Sequence, residues 1–184
     1  MAHLPIVEES QASGDVARVF EDFKSLKGTP FVPNFFKTLA LAPNVAQGTW
    51  RVYRDVGHLG SVPRAIKEMI FVAVSRARNC QYCEAAHLAL CKLYGVDPKT
   101  RELLTQDLDA LEPARTREIV KFGVKAATDP RSLTDQDYAR LRQNGLNESD
   151  IVEVIGMAAF SAYATIIADA TKIEVDPGFK EMLK

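Results

Sequence analysis

At 184 residues, with 47% apolar and 26% charged side chains, the chain has the length and balance of one folded domain or two closely fused halves. It can bury a core without disulfide or metal staples. The formal net charge of −1 offers no basic field for nucleic acid or a membrane surface.

The opening MAHLPIVEES lacks a basic stretch followed by an apolar one, so no secretory signal is expected. No unbroken apolar run approaches the ~18 residues that span a bilayer. The cytoplasm is the expected compartment. There a close cysteine pair points to redox chemistry or metal rather than to a structural staple.

Strand signals are weak and helical ones recur. SGDVARVFEDFKSL opens at Ser13 and places Val16, Val19, Phe20 and Phe23 on one face. Thr29-Pro30 and Val32-Pro33 interrupt it. NFFKTLALAP and NVAQGTWRVYRDVGHLG read as two more helices. SVPRAIKEMIFVAVSRAR reads as a strong one, with Ser61 as N-cap, Pro63 in the first turn and one apolar stripe at 66, 69, 70, 73 and 74. Asn79 is a candidate cap for CQYCEAAHLALCKLYG, which Gly95 ends. Glu102 to Leu111, Thr116 to Thr128 and Asp135 to Asn144 follow, and Asn147 or Ser149 opens a last long helix. VIGMAAFSAYATIIADA within it is broken by polar residues and reads as buried. The expectation is one all-α domain over 1–184, of about eight or nine helices.

A pseudo-repeat relates SVPRAIKEMIFVAV around Glu68 to ESDIVEVIGMAA around Glu153. The Glu68-to-Cys80 interval, counted on from Glu153, ends at Thr165, so the second copy has no cysteines. Two packed halves are expected, a chemical one at about 30–96 and an architectural one at about 97–184.

The chemistry lies in E68-MIFVAVSRARN-C80-QY-C83-EAA-H87. On a helix, Cys80, Cys83 and His87 stand three and four residues apart and share a face. A thiolate is the nucleophile, and a free cysteine, with pKa around 8.5, is mostly protonated at neutral pH. His87 can take the Cys83 proton, and the helix N-terminus favours the anion. Glu68, from the preceding helix, can orient His87. Cys83 would attack a peroxide O–O bond and become a sulfenic acid, and Cys80 would close a Cys80–Cys83 disulfide. An external dithiol must then reopen it, with Cys80 expected to face that reductant.

Blander readings stand beside this one. Zinc could take Cys80, Cys83 and His87, but Cys91 is about 16 Å of helix rise from Cys80 and cannot share the ion. Neither a resident metal nor a cofactor is expected. Glu68 could instead pair with Arg64 or Arg76. Cys91 reads as a core thiol, Glu153 as structural, and Tyr82 as either pocket wall or surface. Arg76 and Arg78 read as solvated helix-end residues, and His3 and His58 as incidental. Phe35, Phe36, Trp50 and Tyr53 read as core or subunit contacts. A general dithiol–disulfide oxidoreductase or redox sensor, and a non-catalytic zinc-stabilised module, remain open beside the peroxidase.

The string resembles the alkylhydroperoxidase D and carboxymuconolactone decarboxylase-like family, in its peroxidase-related branch. A glutamate followed downstream by C-x-x-C-x-x-x-H is matched by Glu68, Cys80, Cys83 and His87. The flanks VPNFFKTLALAP, DPRSLTDQD and LRQNGL are similar too, so the resemblance covers most of the chain. It implies an all-α fold, a homo-oligomer such as a trimer or hexamer, and reduction of hydroperoxides with a dithiol reductant, of lipoyl type in alkylhydroperoxidase D. That protein carries a further histidine between its cysteines, where this chain has Tyr82. The decarboxylase branch lacks the cysteine pair, so its lactone chemistry is not carried over.

Overall fold

An unbroken run from Lys67 to Ser75 is buried. A helix hidden on all sides must lie at the centre of its domain. The computed structural model describes residues 2–184, and the described residues form ten α-helices and three short 3-10 turns. The helices are α1 (Gly14–Lys27), α2 (Asn34–Leu39), α3 (Pro43–His58), α4 (Arg64–Ala77), α5 (Gln81–Leu93), α6 (Pro98–Gln106), α7 (Ala114–Thr128), α8 (Asp135–Gln143), α9 (Glu148–Thr171) and α10 (Pro177–Leu183). The central helix is α4, and α5, α7 and α9 pack against it. Its predicted single stripe was too narrow, because neighbours cover every face.

The α4–α5 corner positions the site. Arg78 caps α4, and Asn79 takes a left-handed φ of 58°. The Asn79 N–H donates to the Arg76 carbonyl (3.1 Å) and the Cys80 N–H to the Ser75 carbonyl (2.9 Å). This is a Schellman ending, and asparagine tolerates the left-handed conformation it requires. Asn79 therefore closes α4 rather than capping α5, and Cys80 holds the α5 N-cap position. Gly95 ends α5 in the same way.

Other boundaries also moved. Pro63, not Ser61, precedes α4. The expected helix over 102–111 breaks at Asp107, whose carboxylate accepts the Asp109 N–H (3.0 Å) and starts a 3-10 turn. The sequence reading did not single out α10. Asn147 caps α9 as expected, in a capping box with Asp150.

By length and composition α9 could cross a membrane. Its inner face, including Ile151, Val154, Met157, Ala158 and Ala164, is instead buried in the core. Phe23, Phe36, Trp50, Tyr53 and Phe160 form one buried aromatic cluster between α1, α2, α3 and α9. Phe35, Phe36, Trp50 and Tyr53 are thus core residues.

Candidate active site

Glu68 points from the middle of α4 toward α5, where Oε2 lies 2.5 Å from His87 Nδ1. Its other oxygen, Oε1, accepts a hydrogen bond from Lys27 Nζ at 2.8 Å. The alternative partners, Arg64 and Arg76, do not hold it. Arg76 lies 3.8 Å from Glu84, and Arg78 Nε donates to Thr165 Oγ1 (2.7 Å). Both Lys27 and Glu68 are buried.

Burial alone would raise the Glu68 pKa, but the charge of Lys27, then the His87 contacts, outweigh it and hold the carboxyl at about 2. Burial lowers the His87 pKa, with Glu68 pulling it up and Lys27 pushing it further down. A neutral His87 beside an anionic Glu68 must donate from Nδ1, which leaves Nε2 as its acceptor. The ring stacks on Phe71, with centroids 3.4 Å apart and planes 11° apart.

The sequence reading missed Lys27. A signal for it existed: position 27 continues the α1 stripe of Val16, Val19, Phe20 and Phe23, all buried. A lysine on that line must be buried and therefore needs a partner.

Cys80 and Cys83 are reduced and buried, at 0% and 2% exposure. They touch through a hydrogen bond between their thiols, and that bond, with burial, pushes the Cys83 pKa well above the ordinary thiol range. These effects outweigh the expected pull of the helix N-terminus toward the anion, so the Cys83 proton has to be taken by a base. The expectation that Cys80 faces a reductant is also corrected. The Schellman turn folds α5 back along α4 and puts Cys80 in the core cluster.

An apolar cavity joins the parts. Cys83, His87 and Phe71 line it, with Tyr53, Phe160 and Phe179 among the other walls. Its free volume is about 40 Å³, and one water needs roughly 10–15 Å³. A peroxide O–O group therefore fits beside Cys83. A larger organic body must part the aromatic walls.

Tyr82 is both cavity wall and strut. Its hydroxyl donates to Asp176 Oδ2 (2.9 Å) and accepts from the Phe35 N–H (3.1 Å). Asp176 Oδ1 takes the Asn34 N–H (2.9 Å), so one buried contact ties α5 to α2 and to the start of α10. Cys91 is a buried core thiol, as expected. Among the described residues, no group of three or more His, Cys, Asp or Glu side chains is arranged to hold a metal ion.

The carboxymuconolactone decarboxylase family model matches residues 43–109, a span that contains Glu68, Cys80, Cys83 and His87. No curated protein matches the chain. Among solved structures, it is similar to the alkylhydroperoxidase AhpD core of an uncharacterized peroxidase-related protein from Ralstonia eutropha JMP134. The TM-score is 0.87 at 25% identity, over 97% of this chain and 94% of that one. A peroxidase-related protein from Silicibacter sp. TM1040 gives 0.86 at 24% identity, over 97% and 93%. The debrominase Bmp8, in complex with 2,3,4-tribromopyrrole, gives 0.84 at 16% identity, over 98% and 95%. Over its site the chain is similar to the carboxymuconolactone decarboxylase family, and along nearly its whole length it has the alkylhydroperoxidase D-like all-helical fold.

Proposed function

We propose that the protein reduces organic hydroperoxides with the Cys80/Cys83 dithiol, using Glu68 and His87 to move the proton. One observation carries the reading. Of the two touching thiols, Cys83 lines the cavity, and His87, braced by Glu68, lines the same cavity.

His87 Nε2 takes the Cys83 proton, directly or through a water. The thiolate attacks the terminal peroxide oxygen, the O–O bond breaks, and the alkoxide takes the proton back from His87 to leave as alcohol. Cys83 is now a sulfenic acid. Cys80 displaces its hydroxyl as water and forms the disulfide. An external dithiol returns two electrons and two protons and leaves as its own disulfide. Because both sulfurs are buried, the reductant is a small dithiol or a lipoyl arm that reaches them as the segments around α5 open.

The test is consumption of cumene hydroperoxide with dihydrolipoamide as donor. Turnover that survives Cys83→Ser overturns the assignment of the attacking sulfur. No turnover with any hydroperoxide overturns the reading.

A second reading is favoured by the aromatic lining of the cavity. The same dithiol could replace an aryl bromine by hydrogen, releasing bromide and a proton and closing the same disulfide. Bromide release from a brominated pyrrole, without peroxide turnover, would favour it.

We also propose a homo-oligomer joined through α3 and α9. Val45 and Val52 on α3, and Val152, Tyr163 and Ile166 on α9, are exposed apolar or aromatic residues, and Thr49 and Tyr163 bind one another across the two helices (2.7 Å). Sedimentation of Val152→Glu and Ile166→Glu against the parent tests this, and an unchanged mass would overturn it.

A further inference from the structure

Lys27 is hard to account for by stability alone. A buried ion pair is commonly no more stable than apolar side chains of the same volume. Yet Lys27 carries its charge into the core, 41 residues from Glu68 in sequence. Its ammonium also lies 3.4 Å from the Tyr94 hydroxyl and 4.6 Å from the centre of the Tyr53 ring.

We propose that Lys27 is a positioning residue of the proton relay: by holding one oxygen of Glu68, it leaves the other to fix His87 as the neutral Nδ1–H tautomer, with Nε2 bare. This rests on the thiol-peroxidase reading for its consequence in turnover, but not for its geometry.

The electrostatics run the same way. Lys27, Glu68 and neutral His87 together carry no net charge. Without the ammonium, the buried carboxylate loses its cation, and the nearest proton acceptor that can restore one is His87. The ring then rests as imidazolium and cannot accept the Cys83 proton.

The other ionisable groups facing the cluster do not supply a replacement cation. Tyr53 on α3 has its pKa raised by burial and by Glu68, so it stays neutral. His58, at the end of α3, stands edge-on to Tyr53 with ring centroids 5.7 Å apart. Burial is the largest of the causes that lower its pKa, ahead of Lys27, and burial, Arg64 and Lys67 still act against its charge when Lys27 is removed. Burial and Glu68 keep Cys91 protonated. Cys83 keeps its proton through Cys80 and burial, and Tyr94 offers only a hydroxyl.

The experiment reads His87 directly. The chain has three histidines, His3, His58 and His87, so ¹⁵N imidazole spectra of the reduced protein are assignable with His87→Gln. In the parent at neutral pH, His87 should show a protonated Nδ1 and a bare Nε2. A cationic ring, or a proton on Nε2 instead, overturns the proposal without any variant. In Lys27→Met, His87 should titrate higher by about one pH unit or more. The peroxide reaction at pH 7 should slow by about tenfold or more and recover as pH rises. Lys27→Arg should restore much of both.

A His87 titration unchanged in Lys27→Met, with the helical spectrum intact, would make Lys27 merely structural. If Lys27→Met does not fold, the parent spectrum and Lys27→Arg still decide. A parent that consumes no hydroperoxide but gives the expected spectra sinks the peroxidase reading and leaves the Lys27 geometry standing.

Discussion

Glu68 on α4 and Glu153 on α9 sit in two similar acidic, apolar helices, and each pairs with a lysine whose side chain is 1% exposed: Lys27 and Lys67. The surroundings differ. Glu153 is fully engaged by Lys67 Nζ (3.0 Å), the Ser61 N–H (2.9 Å) and the Val62 N–H (3.1 Å). Lys67 in turn donates to the Leu59 carbonyl. This carboxylate stitches the loop before α4 to α9. Gly60, at φ 91°, leaves open the space where a Cβ would collide with it. Glu68 instead spends one oxygen on Lys27 and the other on an imidazole that lines a cavity. An acid paired with a buried lysine therefore becomes a candidate for chemistry through its second partner, not through that lysine.

The two corners that lead into long helices repeat the lesson. Gly145 ends α8 and Asn79 ends α4, both at positive φ. At α9 the N-cap side chain is consumed in a capping box, whereas Cys80 makes no capping hydrogen bond. Its sulfur is left to Cys83.

The sharpest test of the contrast is to remove the attacking sulfur. Cys83→Ser should lower peroxide consumption to the uncatalysed background while the helical spectrum is unchanged. Next, Glu68→Gln should cost about a hundredfold in the rate of thiol oxidation. By stranding Lys27 it should also cost about 3–5 kcal/mol of stability in urea denaturation. Glu153→Gln should cost about 1–3 kcal/mol and leave the rate per folded molecule near the parent's. Equal rate losses from the two variants would erase the distinction.

Acid denaturation gives a finer comparison. Glu68 is held at about 2, below its ordinary 4.5, so its stabilisation is complete above pH 4.5 and is lost as pH falls toward 2. The stability difference between parent and Glu68→Gln should shrink across that window. A constant difference would mean that the pair does not hold the carboxyl down. The smallest expected effect is Gly60→Ala, which should cost about 1 kcal/mol or more and shift the thermal midpoint without touching the peroxide reaction.

Much of this was legible in the sequence. Turn residues and apolar spacing marked most of the helices, and the spacing of Cys80, Cys83 and His87 with an upstream Glu68 marked one site. Ser61 was misread because it lies two residues before Pro63 and just ahead of an apolar run. In the structure its hydroxyl serves Asp150 and Glu153 across the molecule. The break at Asp107 was missed because helical spacing does not register a side chain that competes for a backbone N–H.

Local pattern thus determined the helical class, the capped α9 and the grouping of thiols with imidazole, since each depends on residues within a few turns of one another. Tertiary structure decided the rest. Lys27 meets Glu68 across 41 residues, Tyr82 meets Asp176 across 94, and the thiols lose their exposure only when α5 folds back on α4. Proton affinity in a core depends on which charges packing brings within a few ångströms, and one-dimensional spacing does not encode that distance.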